Sequence, residues 1–594
     1  MTSEQIYHSI MHGAFRVIQN KEILNKINVF PVQDGDTGSN LASMMRTILQ
    51  KAEHKETVKK TLESVAKAAL YGARGNSGII FAQYFRGLSE TINGEPQVSI
   101  HEYANASKCA AQYAYDAVEE PVEGTIITVM REWGSVLLEE SSKKTNLTDI
   151  FTCAVRKIEV ALEKTKEQLA VLKKANVVDS GAKGFTYFVE GVLYYIENGV
   201  TLDNKQMIQS EEDIKTEENF IQEMKHDKSE EYRFCTECLL SGDHINLAEL
   251  KIQLKKMGNS IVVAGNEEKC RIHIHTSEPA KVFQYMHDVG KIVYQKVDDM
   301  YKQEAIVNHR KYDIALVTDS IADLPQKFID EHQIQIINLE ILYRDVTFLD
   351  KLTIQPSRLL DLISKEKNLP TSSQPNPKYI ENLMDYLTTY YQSVIVMTVS
   401  KELSGTYNSF LNFIRNNGDM KDKISIINTR QNSGAQGLLV KKCAEDIAAK
   451  LPRDKIVEHI ESLIGSSKIL VQVQSLDNMI KGGRLSVRAG SLAKKLGMKP
   501  IVTLDRDGKG TLAGIAFSIK GSNKKLIRKV KKILTTNQID QYNIVHVHNE
   551  SGALKLAELM VNLIGKQPVY IAETSSIIAI SADVGAVAIS YLLK

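Results

Sequence analysis

The sequence predicts a multidomain chain in which an all-α region, a small α+β module and an α/β domain follow one another. Three observations carry this. Through residues 1 to about 200, apolar residues recur at three- and four-residue spacing, the period of a buried helix face. At Tyr232 the period shortens to the two-residue alternation of strands. From Tyr312 onward, short apolar strands alternate with helical stretches, the pattern of an α/β domain with a largely parallel sheet. A length of 594 residues is more than one hydrophobic core supports.

The helical region places helices at 41–52, 60–72, 100–118, 125–140, 148–170 and 183–197, closing a first domain at 1–202. Residues 203–231 are charged and poor in aromatics, with too little apolar surface for a core, and read as a linker. The middle module, 232–305, places strands at 232–240, 260–264 and 271–275 around a helix near 246–257. The last domain, 312–594, places strands at 312–320, 393–399, 424–428, 469–474 and 544–548, and its ligand sites are expected beyond the strand carboxyl ends.

Composition narrows the function classes. Hydrophobic residues at 43% and charged residues at 25% are ordinary for a soluble globular protein. A net charge of +2 gives no overall attraction to nucleic acid or acidic membranes. Six cysteines are too few for a disulfide framework in this length. The first residues lack a basic stretch followed by an apolar core, and the apolar stretch 575–593 is interrupted by Asp583, serines and glycines. The expected location is the cytoplasm, with no transmembrane segment.

The most informative motif is Asn28-Val-Phe-Pro-Val-Gln-Asp-Gly-Asp-Thr-Gly-Ser-Asn40. Asp34 and Asp36 flank a glycine at a helix entrance, an arrangement that suits Mg²⁺ shared with phosphate oxygens. The following helix start offers unpaired N–H groups to an anion. Three glycine-rich loops recur at other helix starts: 72–78, with Arg74, Asn76 and Ser77; 123–125, with Thr125; and 179–184, with Asp179. In the middle module Cys235 and Glu237 share one strand face, and His273 and His275 share another. Cysteine, two histidines and a carboxylate or water make a tetrahedral Zn²⁺ set. Cys238 falls on the opposite face and is left out. In the last domain, loops at 317–325, 370–375, 404–407 and 477–486 bring hydroxyls, backbone donors and one arginine suited to a carboxylate headgroup. His546 and His548 lie in a strand and read as structural.

These motifs carry two resemblances. The Asn28–Asn40 run, with Ala-Arg-Gly-Asn-Ser-Gly, Pro-Val-Glu-Gly-Thr-Ile and Val-Val-Asp-Ser-Gly, resembles the DAK2 family of dihydroxyacetone kinase and fatty acid kinase subunits. The fatty acid kinase branch matches better, because it carries Asn-Val-Phe-Pro-Val. The resemblance implies an all-α helical barrel whose rim holds ATP and two Mg²⁺. By position, Asp34 and Asp36 are metal ligands, with Asn28 as third where dihydroxyacetone kinases carry an aspartate. Thr37, Ser39, Asn40, Asn76 and Ser77 fall at phosphate positions, Thr125 and Asp179 near the nucleotide, and Arg74 as a catalytic helper. Phe-Cys-Thr-Glu and Ile-His-Ile-His-Thr are similar to the middle domain of the same kinase subunit, which implies zinc on Cys235, His273 and His275.

The last domain resembles the DegV family of fatty-acid-binding proteins. By motif, Ser372, Ser373, Ser404, Gly405, Thr406 and Arg484 fall at the headgroup, with Thr318, Asp319 and Ser320 as weaker candidates. The family often ends with a histidine near the carboxylate, and Ser581 is the residue read at that place here. Together the resemblances imply ATP-dependent phosphorylation of a bound fatty acid to acyl-phosphate. They also imply a homodimer and a downstream acyltransferase in phospholipid metabolism. A fatty-acid-binding or transfer protein with a regulatory kinase-like half, and a dihydroxyacetone-kinase-like small-molecule kinase, remain open.

Overall fold

The computed structural model describes residues 1–30, 35–202, 232–344, 346–364, 369–474 and 498–594. The chain divides into two compact units, Met1–Asn308 and His309–Lys594. Asp34, Arg484 and the expected linker 203–231 lie outside the described residues.

The first unit opens with helices α1 (Ser3–Gln19), α2 (Lys21–Lys26), α3 (Thr37–Lys51), α4 (Val58–Gly72) and α5 (Gly75–Thr91). It continues with α6 (Ile100–Ala117), α7 (Ile126–Ser141), α8 (Leu147–Gln168), α9 (Ala170–Ala175) and α10 (Ser180–Asn198). Local chemistry sets several starts. Thr2 and Gln5 form a reciprocal capping box on α1, and Thr57, Ser99 and Asn146 cap α4, α6 and α8. Periodicity located α3, α4, α6, α7, α8 and α10 but not α1, α2, α5 or α9. The reason is plain for α5, whose segment from Gly78 to Phe85 is buried at every position, so no polar stripe marks its period. Phe81 and Phe85 pack on Phe185 and Phe188 of α10 with ring centroids 5.2–5.4 Å apart. This aromatic block holds α5 against α10 and brings their N-terminal ends together.

The middle module adds an antiparallel sheet in the order β2-β3-β1-β4. Its strands are β1 (Phe234–Ser241), β2 (Asn259–Gly265), β3 (Lys269–Thr276) and β4 (Lys291–Asp299). The edge strand β4 carries two lysines and two aspartates and escaped the apolar pattern. Val262 and Ala264 of β2 enter the helical core, and the Glu119 N–H donates to the Ile261 carbonyl at 3.2 Å. Helices and sheet therefore form one packed body.

The second unit corrects the expectation of one largely parallel sheet. It holds a four-stranded parallel sheet, β11-β10-β5-β6, built from β5 (Ile314–Asp319), β6 (Gln335–Ile337), β10 (Ser393–Thr398) and β11 (Ile424–Asn428). A second sheet of six strands has the order β14-β13-β12-β17-β15-β16 and is antiparallel except at β15–β16. Its strands are β12 (Ser467–Gln472), β13 (Lys499–Leu504), β14 (Gly510–Ala516), β15 (Ile539–His546), β16 (Ile571–Glu573) and β17 (Val587–Leu593). Two features break the parallel pattern. β13 and β14 form a hairpin whose turn is tied by Asp505 accepting the Asp507 and Lys509 N–H groups, with Gly508 at φ +90°. The last strand, β17, then inserts antiparallel between β12 and β15. A small sheet of β7 (Glu340–Tyr343), β8 (Val346–Leu349) and β9 (Thr371–Ser373) completes the unit. Among the described residues no helix is long and apolar enough to cross a membrane.

Candidate functional site

In the first unit the N-terminal ends of α3, α5, α7 and α10 converge, and side chains already cap part of them: Glu237 accepts the Gly75 N–H, Asn25 that of Ser39 and Asp179 that of Ala182. Gly75 opens α5 at φ +58°, and a methyl there would lie 2.5 Å from Asn40 Nδ2 of α3. A methyl on Gly181 would meet Ser77 Oγ at 2.8 Å, Asp179 Oδ2 at 3.2 Å and Ile126 of α7 at 3.2 Å. Glycine at both places lets the loops close on one another and draws the helix starts into one cradle.

Within it the residues expected from sequence take distinct parts. Asp36 occupies the position before α3, half-buried, with Thr37 and Asn40 buried behind it. Asn28 is buried, 3% exposed. Ser39 is bound by Asn25, which donates to Ser39 Oγ at 3.0 Å and accepts its N–H at 2.9 Å. Asn76 Oδ1 is buried with no hydrogen-bond partner among the described residues. Arg74 is half-buried in extended backbone immediately before α5. Thr125 Oγ1 donates to the Val122 carbonyl at 2.7 Å, and Glu123 is held bidentately by Arg131 at 2.7 Å. Asp179 accepts the Ala182 N–H at 2.7 Å as the cap of α10. Burial pushes its carboxyl up to about 7, against the N–H groups of Ala182, Ile126 and Gly181 that pull it down. Four helix dipoles, buried amides and a carboxylate suit a polyphosphate with its divalent cation.

The middle sheet carries a second cluster. Cys235 is paired across the ladder with His275, and Glu237 with His273. The ligating atoms of Cys235, His273 and His275 lie within 4.8 Å of one another. Cys235 Sγ is 3.8 Å from His273 Nδ1, and His273 Nε2 is buried with no partner among the described residues. The donor set fits Zn²⁺ with three protein ligands and an open fourth position. Glu237 is engaged elsewhere: Oε1 accepts the Gly75 N–H at 2.7 Å, and Oε2 accepts from Arg271 Nη2 at 3.1 Å. Although burial opposes ionisation, His273, Lys296 and Arg271 hold the Glu237 carboxyl below its ordinary range. Burial, with the charges of Glu237, Asp298 and Asp36, pushes the Cys235 thiol well up. Asp36 is therefore within electrostatic range of this cluster. Cys238 is buried on the other face.

In the second unit a cavity of about 710 Å³ lies between the sheets, within the ~300–1,000 Å³ of small-molecule pockets. Its walls are apolar, including Leu339, Ile469, Val471, Val502, Val545 and Ala588. Ser372, Ser404 and Ser581 all line it, whereas Ser373, Gly405 and Thr406 are not among its described lining residues. Ser373 follows Ser372 on β9, so it points to the other face, where its hydroxyl donates to Glu340 at 2.7 Å. Thr406 Oγ1 sits 2.9 Å from Ser404 Oγ. Thr318, Asp319 and Ser320 are buried in a polar network, where Asp319 accepts the Val399 N–H at 2.7 Å and Gln436 Nε2 at 3.0 Å.

Sequence reasoning missed several polar lining residues, among them His546, Thr574 and Asn432. His546 was read as structural, yet it ends β15 at the cavity. Thr574 Oγ1 and Asn432 Oδ1 line it and are buried without partners among the described residues. Only their position after strand ends could have marked them. Among its described lining residues there is no lysine or arginine.

Comparison with known proteins assigns the regions. Residues 31–194 match the DAK2 domain, 231–307 the middle domain of fatty-acid-kinase-subunit-A-like proteins, and 313–594 the uncharacterised DegV family. Protein YloV of Bacillus subtilis is 34% identical over 306 residues, 50% of this chain and 55% of that protein. An uncharacterised protein of Staphylococcus saprophyticus is 30% identical over 313 residues, 51% of this chain and 56% of its own length. The chain spans about half the length of the curated relatives it matches. A solved fatty acid binding DegV family protein from Streptococcus agalactiae covers 48% of this chain and 99% of its own, at 24% identity and TM-score 0.43. DegV of Bacillus subtilis, a solved fatty acid binding protein, covers 48% of this chain and 100% of its own, at 24% identity and TM-score 0.42.

Proposed function

We propose that this chain, which carries a DAK2 domain, a fatty-acid-kinase-subunit-A-like middle domain and a DegV-family domain, phosphorylates a bound fatty acid with ATP. The reading rests chiefly on one observation: a single chain holds both a cradle of helix N-termini and an apolar cavity of about 710 Å³ edged with hydroxyls. The acid's acyl chain lies along Ile469, Val471 and Val545, and its carboxylate meets Ser372, Ser404, Thr574 and Ser581. Burial of each methylene contributes ~0.8 kcal/mol, so the chain supplies affinity and the hydroxyls supply orientation. The triphosphate lies along the glycine-rich starts of α3, α5, α7 and α10, with Asn40, Asn76 and Ser77 alongside. Asp34 and Asp36, with Asn28, would hold Mg²⁺, two ions in this reading, and Cys235, His273 and His275 would hold Zn²⁺. Mg²⁺ held there would supply charge neutralisation at the phosphates.

In the reaction a carboxylate oxygen attacks the γ-phosphorus, the bond to the β–γ bridging oxygen breaks, and ADP leaves. No proton needs to be removed, so no general base is required. The chain's contribution is positioning and electrostatics, and tethering both domains raises their effective concentration. Acyl-phosphate is a reactive mixed anhydride, which implies an acyltransferase that consumes it. A cytoplasmic homodimer fits this reading. The test is to incubate the purified chain with oleate and Mg²⁺-ATP and to trap product with hydroxylamine. Fatty hydroxamate should require ATP, Mg²⁺ and oleate together and should vanish in Asp36→Asn. Retained oleate without hydroxamate under any condition would instead identify a carrier.

A further inference from the structure

One side chain of the middle module reaches the start of α5. Glu237, 2% exposed, reaches from β1 to the Gly75 N–H, 162 residues away in sequence, and holds it at 2.7 Å. Its other oxygen is fixed by Arg271, which is itself 2% exposed and lies with its guanidinium 4.3 Å from the Tyr294 ring centre. This carboxylate has no slack. Gly75 is equally constrained, with φ +58° and Asn40 Nδ2 occupying the space a side chain would need. Fixing the Gly75 N–H therefore fixes where Asn40 of α3 and Asn76 and Ser77 of α5 stand relative to each other.

On the opposite side Glu237 adjoins the cysteine–histidine cluster. His273 Nδ1 is 3.8 Å from Glu237 Oε1 and 3.8 Å from Cys235 Sγ. One imidazole thus sits between the cluster's thiol and the carboxylate that holds the glycine loop. A cation held by Cys235, His273 and His275 would fix that ring, and with it the Glu237 side chain 3.8 Å away that holds the Gly75 N–H.

We infer that Glu237 is a positioning residue that couples occupancy of the Cys235–His273–His275 cluster to nucleotide affinity at the Gly75 loop. This rests on the cradle being a nucleotide site. Coupling between two sites is reciprocal: metal tightens nucleotide, and nucleotide tightens metal by the same factor. Coupling of ordinary size makes that factor about tenfold.

The experiment uses the full chain, Zn²⁺ alone and a non-hydrolysable ATP analogue with Mg²⁺, so it reads binding rather than turnover. Calorimetry of wild type, zinc-loaded and chelator-stripped, should give an analogue Kd about tenfold tighter with zinc. Chelator competition should show zinc held about tenfold tighter with the analogue bound. Glu237→Gln should keep one zinc per chain while the dependence collapses below about twofold, a readout that simple destabilisation does not produce. The wild-type comparison stands without the variant should the latter not fold. Equal analogue affinity in loaded and stripped wild type, full coupling in Glu237→Gln, or analogue binding by a chain that takes up no zinc would overturn the inference and leave the nucleotide reading standing. Absence of analogue binding in both forms would remove the nucleotide reading itself, and the inference with it.

Discussion

Replacing Asp179 by asparagine should stabilise the helical unit, and the gain should grow with pH. Asp179 is 5% exposed at the start of α10, and burial raises its carboxyl from the ordinary 3.8 to about 7. The sign follows from linkage. Below about 4 both folded and unfolded chains are protonated here. As pH rises from there to about 7, the unfolded chain releases this proton first, and folding stability declines by ~1.4 kcal/mol per pH unit. Between pH 5 and pH 7 the decline is at most ~3 kcal/mol, and above pH 7 it levels off. Asparagine keeps a carbonyl for the Ala182 N–H and does not ionise, so it lacks this slope. The chain has one tryptophan, Trp133, buried in α7 of the same unit, so its fluorescence follows this unit during urea unfolding. The stability difference between Asp179→Asn and wild type should widen from pH 5 to pH 7 and stay constant above it. A difference independent of pH, or one that narrows as pH rises, would refute the argument.

Other outcomes follow from the same geometry. Cys235→Ala or His275→Ala should lower bound zinc from one equivalent per chain to none by elemental analysis, with unchanged zinc content counting against the cluster. Thr574→Val and Ser404→Ala should each weaken displacement of a fluorescent fatty acid by about tenfold, as loss of a hydrogen bond to a charged group implies. Asp323→Ala should destabilise the second unit by ~2–4 kcal/mol in thermal unfolding, because it removes the acceptor of the buried Ser433 hydroxyl at 2.6 Å and of the Ser575 N–H at 2.7 Å. A shift below ~1 kcal/mol would show that the network is dispensable.

Much of the frame was legible because it is periodic. The stripe of Leu41, Met44, Met45 and Ile48 announces α3, and the alternation in Arg271-Ile-His-Ile-His275 fixes which ring faces which. α5 stayed hidden because it is buried on every side from Gly78 to Phe85, and β4 because an edge strand tolerates charge. The parallel sheet was foreseen in part: β5, β10 and β11 are parallel, while β12 and β15 belong to a sheet ordered by β17, a long-range pairing that no local pattern encodes. The candidate site divides in the same way. Residues of the glycine loops announce themselves by composition. Thr574 and His546 reach the cavity only through tertiary packing, and the role of Glu237 depends on a partner 162 residues away.

Phosphoryl transfer from nucleotide to a carboxylate leaves an isotopic trace that no carrier or idle ATPase can produce. Oleate labelled with oxygen-18 in both carboxylate oxygens should be supplied with Mg²⁺-ATP, the product cleaved by hydroxylamine, and the released phosphate examined by mass spectrometry. The account predicts phosphate carrying one heavy oxygen, formed by wild type and not by Asp36→Asn. Phosphate containing only light oxygen would contradict it.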